Sequence, residues 1–285
     1  MDRLFATVGI LQLVGLGLGA AAAGVFATNT PALHALAWAN AASFAVSGLL
    51  IAREPARPAA EPTDPLAEPT DPAAEPGGGR PRTVWRDRPY LLLCGVQILL
   101  VLLSSSYVII LPLVILHVFH GPTWLVGSSI VAGNVVLAGV QRPVVRYSRT
   151  RPRRTAILAA LPVYAVSFGL LTALDHHRAA GTLVTGVLLA AALGGLAEAI
   201  STPLMISAAA SAAPAGSQGR YSAAFQTSWG LAETIAPLLF TRLLLSGNTA
   251  LWVTLTAVAA LTAPVVIRAS RRLPLQVLAA GGDGG

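Results

Sequence analysis

The sequence predicts an all-α polytopic membrane protein with eight transmembrane helices, and three observations carry that expectation. The 285 residues are 54% hydrophobic and only 11% charged, with a mean hydropathy of +0.68, outside the range of soluble domains. Apolar runs of the roughly 20 residues that a helix needs to cross a bilayer recur along most of the chain. Arginines cluster in alternate loops between these runs, the pattern that the positive-inside rule demands.

Taken in order, the spans are expected at about 4–26, 32–52, 90–116, 122–141, 155–174, 181–207, 220–245 and 249–268. Asp2 and Arg3 open the first run, which ends in small residues and so has an alternative reading as a secretory signal. Its length argues against that reading, and cleavage there would put the arginine-rich and arginine-poor loops on the wrong sides. The loop at 28–31 has no arginine, whereas Arg53, Arg57, Arg80, Arg82, Arg86 and Arg88 follow the second span. The segment 117–123 again has none, and 142–154 carries Arg142, Arg146, Arg149, Arg151, Arg153 and Arg154. After the lone Arg178 come Arg220 and finally Arg268, Arg271 and Arg272, which places both termini in the cytoplasm and the chain in the cytoplasmic membrane. Trp38, Trp124 and Trp252 near outer ends, and Trp85, Tyr90, Tyr147 and Tyr221 near inner ends, fit aromatic belts.

Between the second and third spans, residues 53–89 contain AEPTDPL, AEPTDPA and AEP, a low-complexity repeat whose prolines preclude a packed core. A disordered cytoplasmic linker is expected there, so the chain divides into two helices at 1–52, the linker at 53–89, six helices at 90–268 and a cytoplasmic tail at 269–285. Topology accounts for the net charge of +7, and nucleic acid is not expected as a partner. The single cysteine, Cys94, excludes an internal disulfide framework.

Two carboxylates fall inside spans, Glu198 and Glu233. A charge there costs roughly 3 kcal/mol on insertion scales, so such residues face a protein interior or a wet cavity rather than lipid. Ser222, Gln226, Gly230, Glu233 and Pro237 recur at helical spacing along one polar or small side, as do Gly195, Glu198 and Thr202 on the preceding helix, where Pro203 is expected to kink the chain as it leaves the membrane. Glu233 either contacts substrate or carries a proton, or it is a carboxylate bonded to a neighbouring helix. Glu198 is placed nearer the cytoplasmic end, with a competing role of holding the Gly219–Tyr221 turn and with Arg220 as its natural partner. Gln97, Ser104 and Tyr107, with Asn134 and Gln141 on the next span, either line a cavity or bond between helices. Arg242 is expected to snorkel to the interface.

Catalytic alternatives fail on the residues. Asp175, His176 and His177 are similar to an intramembrane acyltransferase signature, which needs a cysteine next where this chain has Arg178. Zinc-protease, phosphate-loop and nucleophile-elbow motifs are missing, and no lysine occurs anywhere. The expectation is a non-enzyme with no cofactor and no metal.

The arrangement of two helices, a long linker and six helices resembles the major facilitator superfamily, particularly its bacterial drug-exporter-like members. The resemblance is carried by GLGLGAAAAG at 15–24, by Asn134 to Arg154 with Gln141 and Pro143, and by Pro203, Ala213, Pro214, Gly219, Arg220, Tyr221, Trp229, Gly230 and Pro237. It implies that 4–52 correspond to the fifth and sixth of twelve family helices and 90–268 to the second half, an incomplete bundle of that type. The family's first four helices and their gating loop motif would then be absent from this polypeptide. The recorded start is in that case internal to a longer reading frame, or the protein is split or degenerate and works with a partner that supplies those helices.

The function implied is alternating-access transport of small molecules across the bilayer as proton-coupled efflux, with halves rocking about a midplane site. Candidates for the substrate and proton pathway are Glu233, Glu198, Gln226, Gln97, Asn134 and Tyr107. Those for a cytoplasmic gate are Arg220, Tyr221, Gln141 and Arg142. A non-transporting partner subunit or remnant is the alternative.

Overall fold

A computed structural model describes Gly15, Gly19 and residues 30–53, 84–150, 152–176, 179–214 and 217–272. The expected first span, most of the linker, Tyr147 and Arg142 as side chains, His177, Arg178 and the tail beyond 272 lie outside the described residues. Those described are helical, with no strand among them. They fall in two compact units.

The first unit, Phe26–Arg82, contains α1, Thr30–Arg53. Trp38 and Phe44 are exposed on it. The second unit contains α2 (Arg88–Val118), α3 (Thr123–Thr150), α4 (Arg153–Ala173), α5 (Ala180–Ala212), α6 (Gln218–Leu245) and α7 (Asn248–Arg272). These six match the expected third to eighth spans to within a few residues, except where α3 and α5 run on beyond their apolar stretches. Bilayer thickness sets the apolar length, and an intrahelical hydrogen-bond ladder can continue past it into water.

Local chemistry sets the ends. Asp87 caps α2 by accepting from the Tyr90 amide at 3.2 Å, and Pro89 follows in the first turn, where its missing N–H costs nothing. The far end of α2 closes with a π-type turn over Val114–Val118, then His120 in the left-handed region at φ 52°. Pro203 lies inside α5, which continues beyond it to Ala212 rather than ending there.

Among the described residues five helices are long and apolar enough to cross a bilayer: α2, α3 over Thr123–Gln141, α4, α5 and α7 over Asn248–Arg271. Helix α6 is not among them, because Arg220, Gln226, Glu233 and Arg242 dilute its apolar run. Within the bundle α5 packs on α3 and α4, α4 also on α7, and α2 on α6, α7 and α5. Val108, Val135, Val166, Leu189, Leu238 and Leu261 point outward, as a bilayer solvent requires.

The core is aromatic at its centre. Tyr107 stacks on Phe168 with ring centroids 5.6 Å apart, and Phe168 stacks on Trp252 at 5.8 Å. Trp252, Tyr90 and Tyr221 are all buried within the bundle, which corrects their assignment to interfacial belts. Each finds a polar partner inside instead: Trp252 Nε1 donates to Asn248 Oδ1 at 2.9 Å, and the two tyrosines bond to each other's neighbourhood at the α2–α6 start.

Candidate functional site

The polar groups of the bundle converge on the seam between α2, α3 and α5. Gly195 lets α5 touch α3 at backbone distance, since a Cβ there would collide with the Gly133 carbonyl. One residue earlier, a Cβ on Gly194 would lie 2.5 Å from the Tyr107 ring. These two glycines therefore set how closely α3 and Tyr107 approach α5, beside a cleft with a volume of about 40 Å³. Ser104, Tyr107, Ser129, Asn134 and Glu198 supply its polar wall.

Tyr107 is held rigidly. Its hydroxyl donates to Ser167 Oγ at 2.6 Å, and Ser167 donates in turn to the Ala190 carbonyl at 2.8 Å. Asn134 and Glu198 are different: Asn134 Nδ2 is buried with no hydrogen-bond partner, and Glu198 makes no hydrogen bond or ion pair among the described residues. Helix α5 runs from 180 to 212, so Glu198 stands near its middle rather than towards an end. Arg220 is exposed at the start of α6 and forms no ion pair with Glu198, which corrects the expected pairing. Among the described residues no basic side chain lines the cleft, and the one acidic side chain on its wall is Glu198.

A second, smaller cleft lies between α2, α5 and α6, bordered by Gln97, Ser104, Ser201, Thr202, Met205 and Trp229. Ser104 belongs to both clefts. Gln97 is only 2% exposed, and its Oε1 has no hydrogen-bond partner.

The structure thus gathers Glu198, Asn134 and Tyr107 in one cleft and Gln97 in its neighbour, while Glu233 and Gln226 are exposed on α6 and line neither. Glu233 Oε1 instead accepts from Trp229 Nε1, one turn earlier, at 3.0 Å. The polar stripe of α6 exists as expected, but it faces away from the buried side that carries Phe225, Ser228, Ala232, Ala236 and Phe240.

At the arginine-bearing start of α6, the buried Tyr221 hydroxyl donates to Asp87 Oδ2 at 2.9 Å and its carbonyl accepts from Tyr90 at 2.7 Å. The two rings meet edge to face at 4.6 Å. Asp87 therefore caps α2 and ties it to α6 at once. Sequence reasoning missed Asp87; an acid immediately before Arg88 and Pro89 is a helix-start signal that was available. Gln141 is half-buried on α3, away from this tie.

On the opposite end, Asp175 accepts from Asn248 Nδ2 at 2.6 Å and Thr249 Oγ1 at 2.9 Å, fastening the α4–α5 connection to the start of α7. Its role there is structural. Among the described residues no group of three His, Cys, Asp or Glu side chains is placed to hold a metal ion.

Comparison with known proteins gives one match. The family model of the Major Facilitator Superfamily covers residues 2–237. No curated protein and no solved structure matches the chain. A match over most of the length fits a multi-pass bundle whose polar side chains meet between helices. The chain belongs to the major facilitator superfamily of membrane transporters.

Proposed function

We propose that the protein is a secondary active transporter that exports small amphipathic molecules by alternating access, with Glu198 as the carboxylate that couples the cycle to protons. The observation that carries this reading is a carboxylate without a protein counter-ion on the wall of a polar cleft, midway along a membrane span. A charge in that position is costly, and among the described residues nothing balances it, which suits a proton or a positively polarised substrate that enters the cleft. Proton uptake changes the charge of the cleft and so biases the equilibrium between its two openings. Asn134, Ser104 and Ser129 provide hydrogen-bonding groups beside the carboxylate, and Tyr107 provides a fixed aromatic face.

In proteoliposomes, Glu198→Gln should abolish uphill, proton-driven efflux of a reporter such as ethidium and flatten its pH dependence, while downhill exchange persists. Glu233→Gln, outside both clefts, should leave coupling in place. Unchanged coupling and unchanged pH dependence in Glu198→Gln would overturn the assignment.

A second reading, that the chain works against further helices, is favoured by the exposed face of α6. Ser222, Gln226, Gly230 and Glu233 lie there on a mostly apolar helix, and lipid offers Gln226 no hydrogen-bond partner.

A further inference from the structure

The smaller cleft holds a chemical problem that its own side chains do not solve. Gln97 Oε1 is an acceptor removed from solvent and without a donor. The donors around it are committed elsewhere: Ser104 to the Val101 carbonyl, Ser201 to the Ala197 carbonyl and Trp229 to Glu233. Thr202 makes no hydrogen bond to it. Each serine hydroxyl still has a lone pair, so with Gln97 Oε1 the cleft offers more acceptors than its one uncommitted donor, the Thr202 hydroxyl, can satisfy. A molecule that donates twice and is no larger than water meets that need, and the cleft has room for about one.

We propose that this cleft is a binding site for a single resident water, donated to Gln97 Oε1 and Ser104 Oγ, and that the water relays protons to Glu198. Ser104 lines both clefts, so a proton accepted there emerges on the wall that Glu198 occupies. Ser201 and Thr202 lie three and four residues beyond Glu198 on α5 and share its face, which sets the water and the carboxylate on one side of one helix. In the relay the Ser104 hydroxyl turns from the Val101 carbonyl to the Glu198 carboxylate and gives it its proton as the water gives one to Ser104 Oγ. The water recovers a proton from the solution side, and one proton moves in total. This role rests on Glu198 being the proton-binding group, whereas the water site itself does not.

Two measurements on the full-length protein separate these parts. Met205 lines the small cleft and is 1% exposed, so radicals formed in bulk water do not reach it, whereas those formed by X-ray pulses from a bound water do. Oxidation of Met205 during brief X-ray exposure should be clear in the native protein, fall several-fold in Gln97→Leu, and return in Gln97→Glu, which keeps an acceptor oxygen. Equal oxidation in all three, or none in the native protein, would overturn the site. The infrared carbonyl band that disappears in Glu198→Gln then reports protonation after a pH jump. Its appearance should slow several-fold in Gln97→Leu and recover in Gln97→Glu. An unchanged rate would overturn the relay while leaving the coupling reading intact. A native protein with no titrating Glu198 band would sink that reading and the relay with it, without touching the Met205 result.

Discussion

Replacing Tyr221 by Phe removes one oxygen and tests the tie between the starts of α2 and α6. The lost bond is to a carboxylate, at 2.9 Å, from a hydroxyl on a fully buried ring. Hydrogen bonds to charged groups contribute about 1.5–3 kcal/mol, and the half-buried position of Asp87 puts this one near the lower limit. Tyr90→Phe also removes a buried bond, at 2.7 Å, but its acceptor is a neutral carbonyl in the first turn of α6, worth roughly 0.5–1.5 kcal/mol. The ring contact survives in both variants, so Tyr221→Phe should be the more destabilising by about 0.5 kcal/mol. Asp87→Ala loses the same bond and also the cap on α2, which adds about 1 kcal/mol. Because the double variant cannot lose the bond twice, a cycle between Tyr221→Phe and Asp87→Ala should show coupling of about 1–2 kcal/mol. Denaturant unfolding in mixed micelles, followed by tryptophan fluorescence, measures all four proteins. A cycle that closes with no coupling, or a Tyr90→Phe loss equal to that of Tyr221→Phe, would refute the reasoning.

Gly195→Ala should destabilise the bundle by about 1–3 kcal/mol, because its Cβ meets the Gly133 backbone and α3 and α5 must separate. Gly169→Ala on α4 meets nothing within 4 Å and should be neutral or stabilising by up to about 1 kcal/mol through helix propensity; the same unfolding assay reads both, and the reverse order would contradict the packing. If the open face of α6 is covered by protein, Gln226→Cys in a Cys94→Ala background, labelled with a benzophenone maleimide, should photo-cross-link to protein in native membranes. Modification by a lipid-soluble maleimide alone, with no cross-link, would mean that this face meets lipid.

The helices were legible because bilayer thickness leaves a long apolar run in sequence, and α2 to α7 begin within a few residues of where those runs begin. The polar stripes were legible for a related reason: helical periodicity says which residues share a side, and Gly195 and Glu198 do share the cleft side of α5. What periodicity does not encode is which side meets a neighbour. Glu198 and Glu233 look alike in sequence, two acids in consecutive apolar helices. The packing of α5 against α2 and α3 encloses the first, and the packing of α6 through its opposite face leaves the second exposed. The aromatic residues failed for the same reason. Tyr90, Tyr221 and Trp252 stand near helix ends, where interfacial belts form, and only the partners across the bundle, Asp87 and Asn248 among them, reveal that they are core. Gln97 and Ser104 were visible as polar groups about two helical turns apart, but their separation into two clefts that share Ser104 depends on α5 and α6 together.

The most direct test of the account places a cysteine at position 198 in a Cys94→Ala background and labels it with a membrane-impermeant methanethiosulfonate from each face of sealed vesicles in turn. Alternating access to a wet cleft at Glu198 predicts modification from both sides, each protected when the opposite opening is favoured. A residue that reacts from neither side under any condition would contradict the central claim.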